Sequence, residues 1–178
     1  AVLIALYFIR IEADLTNDIK NAWVKDLIEG LKFIRDNRTI LVLISMVAVS
    51  SLFGISYVIL MPIFANEILK VGVKGLGLLM SSGGLGALFA ALLLAHMGDF
   101  AYKGKFLIVS SFVFAVSLMV FALSKIYIIS LIALMLIGAG SVASIALINT
   151  LLQVTVNNQY RGRVMSAYMF TFAGIMPF

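Results

Sequence analysis

Long apolar runs separated by short polar breaks set the pattern of this chain. Residues 39–65, 75–98, 106–124 and 126–160 contain no Asp, Glu, Lys or Arg. Each run holds roughly 19 or more consecutive, mainly apolar residues, the length a helix needs to cross a hydrocarbon core about 30 Å thick. The pattern predicts an all-α membrane protein, an antiparallel transmembrane helix bundle. The expected full spans are residues 39–65, 73–97, 106–124 and 127–151. Shorter apolar runs stand at either end, at 1–9 and from 164 onward. They read as the tail of one truncated helix and the start of a truncated fifth span.

A different period governs the loop at 10–38. Ile19, Ala22, Trp23, Leu27, Leu31 and Ile34 recur mostly at steps of three or four, with Lys, Asp and Glu between them. That spacing predicts an amphipathic helix lying along the membrane surface. Asp18 is its expected N-cap. Lys25 with Glu29, and Lys32 with Asp36, stand one turn apart and are expected to pair weakly.

Composition agrees with a bilayer as solvent. Hydrophobic residues make up 63% of the chain and charged residues 12%, against about 45–50% and 25% in soluble domains. Mean hydropathy is +1.14. Residues 1–9 lack the basic segment and the cleavage site of a signal peptide. Cysteine is absent, which excludes disulfides, thiol catalysis and Cys-based metal sites.

The net charge of +5 reflects topology better than nucleic-acid binding, because no basic cluster is interleaved with aromatics. Assigning the breaks alternately to two sides puts Arg10, Lys20, Lys25, Lys32, Arg35, Arg38, Lys103, Lys105, Arg161 and Arg163 on one side. Lys70, Lys74 and Lys125 fall on the other. The positive-inside rule makes the first side cytoplasmic.

Helices in lipid gain no hydrophobic drive toward one another, so close approach depends on small residues. Gly83, Ala87, Ala91 and Ala95 lie four apart on the second span, with Ser82, Gly86 and Ala90 adjoining. Gly83, Gly86, Ala87 and Ala91 are the expected packing positions, and Leu at Ala87 or Ala91 is expected to disrupt the bundle. Ala139, Ala143, Gly140 and Ser144 offer a similar face on the fourth span. The third span carries no comparable stripe and is expected on the lipid-facing outside.

Little in the sequence supports catalysis. No ionisable Asp, Glu, Lys or Arg lies within a span, whereas proton and ion pathways usually need one. His96 is the only imidazole and reads as an interfacial residue. Ser81 and Ser82 share its helix about four turns away, roughly 20 Å at 1.5 Å per residue, too far for a dyad. One His without Cys gives no metal-ligand cluster. The expectation is a non-enzyme without metal or cofactor.

What remains is soft and polar groups inside the spans. Met46, Ser50, Phe53 and Tyr57 share a face of the first span, and such a stripe suits a cavity for varied amphipathic molecules. Ser141, Ser144 and Asn149 add hydrogen-bonding groups on the fourth. These seven are the substrate-cavity candidates. Asp99, Lys103 and Lys105 form one charged turn, and Arg161-Gly162-Arg163 another. All five charged residues are candidates for a cytoplasmic gate pairing with acids or helix C-termini.

Four stretches, taken in order, resemble the C-terminal half of a major facilitator superfamily transporter. They are WVKDLIEGLKFIRDNR at 23–38, the glycine-rich second span at 75–99, the Lys103-Gly104-Lys105 turn, and QVTVNNQYRGRVMS at 153–166. The nearest likeness is to bacterial macrolide-efflux and siderophore-exporter permeases. Phe100 departs from the family's loop signature, which has Arg or Lys directly after the Asp. The resemblance implies half of a twelve-helix fold whose two six-helix halves rock about a midplane site. Residues 1–9 would end helix six, 10–38 would be the central loop, and 39–178 the C-terminal bundle.

That resemblance implies proton-coupled efflux of small molecules, an antiporter, with the coupling carboxylate in the absent half. Expected partners are the N-terminal six-helix half, membrane lipids, a small-molecule substrate and protons, with no nucleic acid. The expected location is the bacterial cytoplasmic (inner) membrane, as a multi-pass protein. A lysophospholipid or lipid flippase on the same fold, and a non-transporting membrane scaffold, are the alternatives.

Overall fold

The computed structural model describes residues 19–98 and 100–174, with side chains from 28 onward except at 55. The expected helix tail at 1–9, the Asp18 cap, and the side chains of Trp23 and Lys25 lie outside the described residues. Six α-helices follow in order: α1 (Ile19–Asp36), α2 (Arg38–Ile63), α3 (Gly72–Met97), α4 (Lys103–Leu123), α5 (Tyr127–Thr155) and α6 (Asn158–Gly174). Helices α2 to α5 are long and apolar enough to cross a membrane. No strand occurs among the described residues, and the chain is an all-α membrane helix bundle.

Each link between helices has a local cause. Pro62 lies in the last turn of α2 and has no N–H to donate. The ladder then widens into a π-turn, Phe64–Ile68, closed by Leu69 N–H donating to the Phe64 carbonyl at 3.0 Å. Lys70 takes a left-handed φ of 53°, and the Val71 N–H returns to the Ala65 carbonyl at 3.0 Å, one residue wider than the six-to-one closure that commonly ends an α-helix. Gly98 ends α3 at φ 57°, a conformation glycine adopts without steric cost. Between α4 and α5, the Ser124 hydroxyl accepts from Ile126 N–H at 3.3 Å, and the Ser130 hydroxyl donates to it at 3.1 Å.

Several helices run past the charge-free stretches, because Lys, Arg and Gln are good helix formers and do not stop one. Lys103 and Lys105 open α4, and Arg161 and Arg163 sit inside α6. The two expected basic turns are therefore largely helical, and α6 begins at Asn158, well before residue 164.

Helix α5 is the hub. Half of its apolar window is buried, against at most 28% for the other three spans. It packs on α3 and α4 along its length, with smaller contacts to α2 and α6. Two cores result. One joins α1, α2, α4, α5 and α6 near the basic end, with Ile34, Ile40, Val47, Leu152 and Val164 at its centre. The other lies toward the opposite end, around Met61, Leu79, Phe121, Leu134 and Ile137.

The α3–α5 contact is backbone against backbone. A Cβ at Gly86 would fall 1.8 Å from the Met135 carbonyl oxygen, and one at Gly138 would fall 2.0 Å from the Gly83 carbonyl oxygen. Gly86 and Ala90 are buried on this face, and Ala87 is half-buried, its backbone nitrogen 3.2 Å from the Gly138 position. A Cβ at Gly83 would meet only ordinary contact, 3.7 Å from the Leu134 carbonyl. Ala91 is exposed in this bundle. Gly83 and Ala87 thus meet α5 at Gly138 together with Gly86, while further along the helix Ala90 is buried and Ala91 and Ala95 are exposed.

Helix α4 buries one face, and that face is mostly of large residues. Leu107, Ser110, Phe114, Ser117 and Phe121 are buried at alternating steps of three and four. The opposite face, with Ile108, Phe112 and Met119, is exposed, which leaves α4 at the edge of the bundle. Ser110 and Ser117, two turns apart, are the small residues on the buried face.

Candidate functional site

Between the two cores, near the middle of α2, α4 and α5, the packing opens into a pocket of about 180 Å³. Helix α2 contributes Ser50, Ser51, Gly54 and Tyr57. Helix α5 contributes Ser141 and Ile145, α4 contributes Phe114, and α6 contributes Phe172. Among the described residues, none that lines it is charged. A second apolar pocket of about 230 Å³ lies between α2 and α4, against Phe53, Tyr57, Phe64 and Phe121. Tyr57 borders both, with its ring edge-on to Phe121 at 6.5 Å.

The seven cavity candidates divide accordingly. Ser50, Tyr57 and Ser141 meet in the first pocket, and Phe53 lines the second. Met46 packs, half-buried, against the basic-end core. Asn149 is half-buried on α5, and its amide oxygen accepts from Gln153 one turn on.

Ser144 is not at a cavity wall. It is buried in the α4–α5 seam, with its hydroxyl 3.0 Å from that of Ser110 and 3.1 Å from that of Ser111. Gly140 allows this approach, since a Cβ there would lie 2.9 Å from the Ser110 carbonyl oxygen. Ser51 and Gly54 were missed by sequence reasoning, though Ser51 adjoins Ser50 and Gly54 stands one turn from Ser50 and from Tyr57.

The hydroxyls of α2 fall into two groups. Ser45 donates to the Leu41 carbonyl at 2.8 Å and Ser56 to the Leu52 carbonyl at 2.7 Å. This back-bonding is the usual fate of serine in an apolar helix. Ser50, Ser51 and Tyr57 make no such bond among the described residues, although Ser51 is only 8% exposed. No polar side-chain atom among the described residues is sealed off without a partner, so the Ser51 hydroxyl opens to the pocket. Ser141 donates to the Gly138 carbonyl at 3.0 Å and keeps its lone pairs.

At the basic end, α1 docks on α6. The Arg163 guanidinium donates to the Glu29 carboxylate at 2.9 Å. Gly30 admits the Arg163 stem, whose Cβ would stand 3.1 Å from a Cβ at Gly30. The Phe33 and Tyr160 rings stack at 4.3 Å and 7°, and the Arg163 charge lies 5.6 Å over the Tyr160 ring. Ile34 is buried beneath. Glu29 is thus engaged across helices as well as standing one turn from Lys25. Leu31, expected on the buried face with Ile34, is 61% exposed.

The other gate candidates do not converge on this contact. Asp99 lies outside the described residues. Lys103 is half-buried, Lys105 reaches over the Tyr102 ring at 5.1 Å, and Arg161 is exposed. Among the described residues, no three His, Cys, Asp or Glu side chains come close enough to hold a metal ion.

The profile of the transmembrane secretion effectors, a branch of the major facilitator transporters, matches residues 1–178. No curated protein and no solved structure matches the chain. With four helices among the described residues long and apolar enough to cross a membrane and a match over its whole length, this multi-pass membrane protein belongs to the transmembrane secretion effector family of major facilitator transporters.

Proposed function

We propose that the chain forms the C-terminal half of a secondary exporter of small amphipathic molecules, working by alternating access in the bacterial inner membrane. The observation that carries this reading is the hydroxyl-lined, uncharged pocket at mid-height in a chain of this family. A transporter needs a site near the midplane that both sides can reach in turn. The pocket walls come from α2, α5 and α6, so relative motion of these helices reshapes it.

The N-terminal half supplies the rest of the cavity and the proton-coupling carboxylate, because residues 39–65 and 126–160 carry no ionisable acid. Helix α1, clamped to α6 through Glu29 and Arg163, transmits motion of that half to the wall of the pocket. Residues 19–174 supply only part of a cavity, and the chain reconstituted alone does not transport.

The test uses the full-length transporter in cells. A fluorescent dye or a macrolide should accumulate less when the transporter is expressed, and collapse of the proton gradient should abolish the difference. Unchanged accumulation across a broad panel of amphipathic compounds would sink the export reading.

A further inference from the structure

We infer that the pocket between α2, α5 and α6 is a subsite for the uncharged, hydrogen-bond-accepting part of a ring-bearing ligand, a ketone, ester or lactone. This deepens the transport reading and rests on it for the identity of the ligand as cargo. Its volume of about 180 Å³ is below the roughly 300–1,000 Å³ of sites that enclose a drug-sized molecule. It therefore takes one portion of a ligand, a ring with its polar substituent.

The chemistry follows from the hydroxyls. Hydroxyls in apolar helices normally spend their proton on the carbonyl one turn back, as Ser45 and Ser56 do on this same helix. Ser50 and Ser51 do not, and both line one pocket, with the Tyr57 phenol beside them. Ser51 is more than nine-tenths buried. Its hydroxyl opens to the pocket and is not sealed in the protein, so water or a ligand there receives its proton. These donors suit an oxygen acceptor.

The rest of the lining decides against charge. The walls beside the donors are Phe114 and Phe172, and among the described residues no acid or base lines the pocket. An ammonium or carboxylate group would be desolvated there without a counter-charge, whereas a carbonyl loses little on entry. The flat faces of the rings suit an aromatic or alicyclic body.

The test is equilibrium binding to the full chain in lipid nanodiscs, with empty nanodiscs as the blank. Three matched probes are used: 2-acetylnaphthalene, 2-naphthyltrimethylammonium and 2-naphthoate. The ketone should bind at least about tenfold tighter than either ion. Ser50→Ala and Ser51→Ala should each weaken it about fivefold, in line with the loss of one hydrogen bond, without changing the thermal midpoint. Gly54→Leu, which fills the space short of Phe114, should abolish binding. Equal or tighter binding of either ion, or ketone affinity indifferent to both serine variants and to Gly54→Leu, overturns the inference. No gradient is present, so an absence of export in cells counts against the transport reading alone. Export that persists while the serine variants leave ketone binding unchanged counts against this subsite alone.

Discussion

The two sides of α5 solve the same packing problem with different materials. Toward α3, the helices touch through their backbones, with Gly86 against the Met135 carbonyl and Gly138 against the Gly83 carbonyl. Toward α2, they stand apart, and the space between them holds a pocket edged by hydroxyls and rings. In lipid there is no hydrophobic gain in closing such a gap, so only shape and hydrogen bonds decide how near two helices come. The glycine seam has both and is fixed. The α2 side leaves hydroxyls free, which suits a surface that exchanges one partner for another.

The widest separation between the two sides should come from Gly86. A leucine there has no space, because even its Cβ would overlap a carbonyl oxygen at 1.8 Å. Gly86→Leu should lower stability by at least the roughly 1–3 kcal/mol of an overpacked core. The loss would be read as a fall in the thermal midpoint in detergent. Gly83→Ala is the sharper control on the same helix. Its Cβ would rest 3.7 Å from the nearest atom, and the midpoint should hold. Equal losses for both variants would mean that glycine flexibility, and not the Met135 contact, matters in α3.

The α4–α5 seam lies between these extremes, since its closest polar contact is a three-serine cluster. Ser144→Ala removes the group shared by Ser110 and Ser111. Ser110 keeps its bond to the Leu107 carbonyl at 3.0 Å, so the loss should be modest, about 0.6–1 kcal/mol. A change as large as that of Gly86→Leu would place the organising contact of the bundle in the α4 seam.

How much of this could be read in the sequence depends on the scale of the signal. Helices that cross a membrane are visible because lipid demands a long uncharged run, and α2 to α5 each contain one. Their ends were harder to place. Lys103, Arg161 and Arg163 mark the end of apolar sequence, but the backbone hydrogen bonds continue beyond that edge. Faces were harder still. Two small-residue stripes on α3 differ by one residue in register; α5 meets both, Met135 at Gly86 and Gly138 at Gly83, and beyond them buries Ala90 and not Ala91. The serines at 110 and 117 went unread as packing residues because serine also serves as a cavity group. Ser144 was assigned to the cavity for the same reason. The Glu29–Arg163 pair joins residues far apart in sequence, with no local pattern to announce it.

The basic-end clamp should matter less to stability than either seam. Both partners keep water contact, with side-chain exposures of 44% for Glu29 and 29% for Arg163. Pairs of that kind contribute about 0.2–1 kcal/mol. Glu29→Gln should leave the thermal midpoint within about 0.5 kcal/mol of the parent while speeding amide exchange in α1. The Phe33–Tyr160 stack and buried Ile34 would still hold the helix in place. Exchange in α1 unchanged by the variant would assign the docking to those apolar contacts alone and remove Glu29 from the coupling path.

Ala91→Leu is the smallest expected effect and the finest probe of the α3 register. The sequence stripe through Gly83 and Ala87 puts Ala91 on the packing face, and there a leucine would be as damaging as at Gly86. The bundle instead leaves Ala91 exposed and buries Ala90. Leucine at an exposed site in a lipid-soluble helix adds apolar surface and no clash, so the midpoint of the isolated chain should move by less than about 0.5 kcal/mol. Ala90→Leu, one residue away, should fall well below it. In the full-length transporter, the same Ala91→Leu variant reports on the other side of α3. A loss of stability or export confined to that context would place Ala91 against the N-terminal half, and a neutral result there as well would assign this face to lipid.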